Sequence, residues 1–250
     1  MAGHSHSANI RHRKSAVDAK KGVAFSKHAK LIMSAARLGG GDPTMNARLT
    51  LAIDKARADN MPKDKIERAI KKGTGELGGQ SLEEVRYEAY GPGGVAMIID
   101  CITDNRNRTA PEMRQILERN GGRLAESNSV VWMFDARSLV AIRSEGVDED
   151  ELTEQIMELG ADDLRLESTE YAVLGDPTVL NTLHKGLREA GYHVERAELT
   201  MSPKNVVSLD LENARKILKL LDAFEEHDDV QTSFSNLDIP DDVMAQLGDE

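Results

Sequence analysis

The chain has 250 residues, 40% of them apolar and 30% charged, with a formal net charge of −11. A single cysteine excludes an internal disulfide framework, and no run approaches the roughly 20 apolar residues that a membrane helix needs. Aromatics reach only 4%, so cores must rest on aliphatic side chains and platforms for stacked bases are few.

The charge is divided along the chain. Residues 1–75 hold 16 Lys and Arg against 6 Asp and Glu, and residues 76–250 hold 16 against 37. A basic segment joined to an acidic body holds one end against a polyanion while the other end is repelled from it. The N-terminus is polar and has no apolar signal region. It is basic and contains serine, as transit peptides do, but it leads straight into a helical pattern, so the expected location is cytoplasmic.

The first third reads as helix only. Phe25, Ala29, Ile32 and Ala36 recur at helical spacing between Val23 and Leu38, and Gly39-Gly40-Gly41-Asp42-Pro43 ends that helix. A second helix is expected from Met45 to Asp59, and a third opens near Pro62 and closes at Gly73. Strands then alternate with helices. Val85–Tyr90 and Val95–Ile102 read as a hairpin joined by Gly91-Pro92-Gly93-Gly94, followed by a helix over Ala110–Asn120 and a strand over Val130–Phe134. From Leu139 to Leu199 the order is β-α-β-β-α-β, the ferredoxin-like sequence of elements. A strand at Val206–Leu209, a helix at Glu212–Phe224 and a strand at Val230–Phe234 complete the chain.

A self-sufficient unit in the middle leaves two fragments that need each other. The expected fold is α+β in three domains, an N-terminal helical domain followed by two ferredoxin-like α+β domains, one inserted in the other. The expected boundaries are 1–79 for the basic helical domain, 80–135 plus 203–240 for the second, 136–202 for the insert and 241–250 for an acidic tail.

The candidate polyanion contacts are Arg11, Arg13, Lys14, Lys20 and Lys21, followed by Lys27, Lys30 and Arg37 on one helical stripe. Against this stands the ordinary fate of a charge run, a solvated helix face. A second candidate is the segment from Asp104 to Thr109. Thr109 and Glu112 have capping-box spacing, so Asn105, Arg106, Asn107 and Arg108 would precede a helix N-terminus able to hold an anion. The alternative is that these residues tie the loop to the acidic body by ion pairs.

The glycine turn at 91–94 lacks phosphate-loop spacing, and Cys101 lies in an apolar strand as a small buried residue. Ala2-Gly3-His4, with Met1 removed, offers a square-planar nitrogen site for Cu(II) or Ni(II). Otherwise no catalytic triad, paired-carboxylate motif or zinc-spaced cluster appears. No cofactor, small-molecule substrate or enzymatic activity is expected.

Met1-Ala2-Gly3-His4-Ser5, Asn9-Ile10-Arg11-His12-Arg13-Lys14, Ala35-Ala36-Arg37-Leu38-Gly39-Gly40-Gly41-Asp42-Pro43, Tyr90-Gly91-Pro92-Gly93-Gly94 and Asp104-Asn105-Arg106-Asn107-Arg108-Thr109 resemble the YebC/PmpR family over essentially the whole chain. The resemblance implies three domains and regulation through nucleic acid in a cytoplasmic bacterial protein. Members are described as DNA-binding transcriptional regulators, and others, including mitochondrial relatives, look like translation factors that act on the ribosome. Where the family usually has Lys-Trp, this chain has His6-Ser7, which removes a permanent charge and an aromatic ring. The expected function is thus a nucleic-acid-binding regulator acting on DNA through its basic domain. The alternatives are a ribosome-associated factor and a protein-interaction module using the acidic body.

Overall fold

The computed structural model describes residues 19–78 and 81–248, with side chains from residue 22 onward. Three helices come first, α1 (Ala19–Gly39), α2 (Ala47–Ala58) and α3 (Lys63–Gly73). Their shared core contains Ile32, Ala35 and Ala36 of α1, Leu49, Ile53 and Ala56 of α2, and Ile66 and Ala69 of α3. So many alanines let the helices approach closely. Asn46 secures the α1–α2 corner. Its side chain accepts from Leu49 N at 3.0 Å as the α2 cap and donates to Ala35 O at 2.9 Å and Gly40 O at 2.8 Å.

The α+β region begins with β1 (Glu83–Tyr90) and β2 (Ala96–Thr103), an antiparallel hairpin whose register runs from Glu83 opposite Thr103 to Tyr90 opposite Ala96. Gly93 and Gly94 take φ of 70° and 79° in its turn, backbone that residues with a Cβ rarely adopt. Next come α4 (Arg106–Arg119) and β3 (Arg123–Leu124).

Phe134–Ser202 is a compact unit of its own. It holds β4 (Phe134–Arg143), α5 (Glu149–Glu158), β5 (Ala161–Glu167), β6 (Glu170–Gly175), α6 (Leu180–Glu189) and β7 (Val194–Pro203). Its strand order, β5-β6-β4-β7, is the ferredoxin-like arrangement.

The chain then supplies β8 (Val207–Ser208), α7 (Leu211–Glu226), β9 (Val230–Ser235), β10 (Leu237–Asp238) and α8 (Asp241–Gly248). β9 pairs with β2 in a sheet of order β3-β1-β2-β9, although the Phe134–Ser202 unit separates the two in sequence. Met97, Ile99, Met113, Leu117, Ile217, Leu220 and Phe224 fill the core between this sheet and α4 and α7.

Three local expectations change. Val131–Met133 is a single 3₁₀ turn rather than a strand, because the Val130 and Val131 N–H groups bond to the Glu88 carboxylate instead of a ladder. The helix expected over Ala110–Asn120 starts earlier, at Arg106, because Asn105 caps it. Residues 241–248 of the expected acidic tail form α8, whose Val243, Met244 and Leu247 pack on the core.

Gly73 marks the closest approach of α3 to α1, since a Cβ there would lie 2.5 Å from Met33 O and 2.9 Å from Ala36 Cβ. Gly73→Ala should therefore destabilise the fold by about 1–3 kcal/mol, although alanine favours helix by about 1 kcal/mol. Urea denaturation measures it, and a raised midpoint would contradict this packing.

Candidate nucleic-acid interface

The structure brings Lys27, Lys30 and Arg37 together on α1, but they face the α+β region and are already engaged. Lys27 Nζ donates to Glu225 O at 2.5 Å and Phe224 O at 3.5 Å. These carbonyls lie in the last turn of α7, where no intrahelical partner exists and the helix dipole is negative. Burial lowers the Lys27 pKa to about 8, against the opposing pull of Glu225 and Asp228. Lys30 Nζ donates to Asp228 O at 3.0 Å and to Asp229 Oδ1 at 2.5 Å. Arg37 Nη1 donates to Ser81 Oγ at 2.9 Å and Leu82 O at 2.8 Å. Ser34 and Arg48 both bond to Glu84. Lys27 and Lys30 thus take part in a seam between α1 and the α+β region, whereas Arg37 is exposed and bonds only to neutral oxygens. Periodicity located the stripe, but it carries no information on what the stripe faces.

Asp229 is the centre of that seam, and only 1% of it is exposed. Its second oxygen accepts from Arg108 Nη2 and from Thr109 Oγ1, both at 2.8 Å. Behind Thr109, the Thr103 hydroxyl donates to the Thr109 oxygen at 2.8 Å and accepts from Asn105 N at 3.0 Å. Burial pushes the Asp229 carboxyl up, but hydrogen bonds from Lys30, Arg108 and Thr109 more than reverse this and hold it well below the usual carboxylate range. His227 Nδ1 accepts from Asp229 N at 3.1 Å, which leaves Nε2 to donate to Glu112 at 3.1 Å.

The Asp104–Thr109 segment divides accordingly. Thr109 is fully buried and does not cap α4. Asn105 does, accepting from Arg108 N at 3.2 Å. Arg108 pairs with Asp104 and Asp229. Arg106 and Asn107 remain exposed on the first turn of α4.

Arg11, Arg13 and Lys14 lie outside the described residues, as do His6, Ser7 and the Ala2-Gly3-His4 site. Lys20 and Lys21 belong to α1, but their side chains are outside the described set. The Cys101 thiol is buried and pushed up to about 12 by burial and by the nearby Asp229 and Asp100 carboxylates, which leaves it protonated and inert.

Exposed cations of the helical domain include Arg37 on α1 and Arg48, Lys55 and Arg57 on α2, and they are densest on α3. Lys65, Arg68 and Lys72 recur at intervals of three and four, with Lys71 near them, and all four are exposed on the helix that buries Ile66 and Ala69. Lys65 Nζ sits 5.0 Å from the centre of the Phe25 ring. Among the described residues, Arg68, Lys71 and Lys72 have no acidic partner at the surface. Asp64 and Glu67 on the same helix dilute this signal in a simple charge count. A face-by-face reading of 63–73 against Ile66, Ala69 and Ile70 would have found it.

Two family models cover the chain. Residues 5–76 match the TACO1/YebC protein N-terminal domain, and residues 82–237 match the TACO1/YebC second and third domain. The chain belongs to the TACO1/YebC family. Among its relatives is a protein of Geobacter sulfurreducens named "Probable transcriptional regulatory protein", 50% identical over 99% of this chain and 100% of its own length. One of the same name from Chlorobaculum tepidum is 49% identical over the full length of both. The crystal structure of a conserved hypothetical protein from Aquifex aeolicus superposes with a TM-score of 0.85 at 42% identity, covering 93% of this chain and 96% of that one.

Asp229→Asn should cost about 3 kcal/mol at neutral pH, because it leaves Lys30 and Arg108 facing a neutral amide in a buried site. A carboxyl whose folded pKa is depressed stabilises fully above its unfolded value of about 3.9 and progressively less below it. The gap between native and variant in urea denaturation should therefore narrow as pH falls below about 4. A gap that stays constant through that range would contradict the assignment.

Proposed function

We propose that this chain is a nucleic-acid-binding regulatory protein that engages duplex DNA through its first domain, with α3 as the contact helix. The observation that carries the reading is the exposed Lys65, Arg68, Lys71 and Lys72 face in a chain whose later residues are strongly acidic. The basic tract of Arg11, Arg13, Lys14, Lys20 and Lys21 adds phosphate contacts to it. The second anion contact narrows to Arg106 and Asn107, since Arg108 is spent on Asp229.

Two features favour duplex DNA. Relatives nearly half identical to this chain carry the name of transcriptional regulators. Residues 59–62, the link between α2 and α3, are as few as the turn of a helix-turn-helix, whose second helix enters the major groove. A-form RNA offers no such groove to a helix. Lys and Arg at this density bind mainly phosphates, so affinity exceeds sequence discrimination. The acidic α+β region faces away from a polyanion by simple repulsion, which sets the orientation of the bound chain.

The test is fluorescence anisotropy with a labelled DNA duplex across a salt series from about 50 to 200 mM. Arg68→Glu with Lys72→Glu should weaken binding and flatten the log–log salt slope by about 0.9 for each phosphate that is no longer neutralised. Lys27→Gln with Lys30→Gln should lower stability and leave the slope unchanged. The opposite pattern would return the contact to α1. Equal binding of an RNA duplex would remove the groove argument.

A further inference from the structure

The chain's only tryptophan, Trp132, is 62% exposed, on a loop outside both the Asp229 seam and α3. The loop is built rather than slack. The buried Glu88 carboxylate accepts three backbone N–H groups, from Asn128 at 2.5 Å, Val130 at 2.7 Å and Val131 at 2.9 Å. Glu88 O accepts a fourth from Ala125 at 2.8 Å. Val130, in the same loop, is fully buried. Three charge-assisted bonds from one buried carboxylate hold this backbone in a single conformation.

The loop places the indole beside the Tyr90 phenol. Trp132 Nε1 donates to Ser129 O at 2.9 Å, and Tyr90 Oη donates to the same oxygen at 3.4 Å. Phenol and indole therefore meet on one carbonyl. The guanidinium of Arg123 lies 5.0 Å from the centre of the Tyr90 ring. Tyr90 and Arg123, with Gly91, Gly93, Gly94, Gly121 and Gly122, line an open cleft of about 320 Å³. With its N–H satisfied internally, the indole offers solvent an oriented apolar ring. An exposed flat ring, and next to it a second aromatic and a cation that line a glycine-walled cleft, are the elements that grip unpaired nucleotides, by stacking on the base and pairing with its phosphate.

We propose that Trp132, Tyr90 and Arg123 form a binding site for an unpaired nucleotide of DNA or RNA, with the base stacked on the indole and the phosphate at Arg123. Glu88 is the positioning residue that holds the loop. The site extends the nucleic-acid reading beyond the phosphate contacts of α3 and is separable from it by experiment.

Because there is one tryptophan, its emission reports on this loop alone. The full chain is titrated with short homopyrimidine DNA and RNA strands while their binding is followed in parallel by anisotropy. Saturable quenching that coincides with binding is expected, and the DNA and RNA arms show which strand is preferred. Trp132→Ala should weaken strand binding by about tenfold, the effect of losing one stacked base, whereas Trp132→Phe should retain most of it. Trp132 is exposed, so circular dichroism should show both variants folded.

Strand binding without quenching, and undiminished in Trp132→Ala, would overturn the site while leaving α3 as the contact. Loss of strand binding only in Arg68→Glu with Lys72→Glu would do the same. Full sensitivity to Trp132→Ala with none to the α3 pair would keep this site and overturn the α3 reading. Failure to bind any strand, or quenching by a proline-rich peptide and not by nucleic acid, would overturn the nucleotide assignment.

Discussion

A buried carboxylate must be compensated or it destabilises the fold, and Asp229 imposes that requirement on the whole first half of the molecule. Its partners come from two helices, Lys30 on α1 and both Arg108 and Thr109 on α4, with Asp229 itself at the entrance to β9. Arg108 and Thr109 satisfy one carboxylate oxygen from within the α+β region, and the other takes its cation, Lys30, from the helical domain. Lys27 adds a cation at the negative end of α7 on the same side. One acidic residue thereby couples the N-terminal domain to a sheet whose strands β2 and β9 are separated in sequence by the whole Phe134–Ser202 unit.

That docking decides which charges are left for a partner. With α1 against the α+β region, its Lys27 and Lys30 are engaged there. α3, which packs on α1, keeps its basic face to solvent. The same logic divides the Asp104–Thr109 segment, where Arg108 is paired with Asp229 although its side chain is 44% exposed, and Arg106 is exposed without such a pair. The cations that a sequence count treats as one pool fall into structural and available classes, and the buried acid they meet sorts them.

Much of the architecture was legible because period-2 and period-3.6 patterns in this chain are clean. The glycine turn at 91–94, the three opening helices and the β-α-β-β-α-β order all follow from local pattern and turn chemistry. The misread elements share a cause. Thr109 has cap spacing but is drawn inward by Asp229, so Asn105 caps α4 instead. Val130–Met133 is largely apolar with two β-branched residues, yet the Glu88 carboxylate takes its first two N–H groups. The α1 stripe has the spacing of a solvent face but meets α7 and Asp229. In each case a group far away in sequence redirects a local preference, and such a partner leaves no trace in any short window of the chain.

Lysine acylation footprinting in the presence and absence of duplex DNA tests the division between structural and available cations most directly. Lys65, Lys71 and Lys72 should be labelled readily in the free protein and protected by the duplex, whereas labelling of Lys27 and Lys30 should not change. Protection of Lys27 and Lys30 by DNA, with α3 unaffected, would contradict that division.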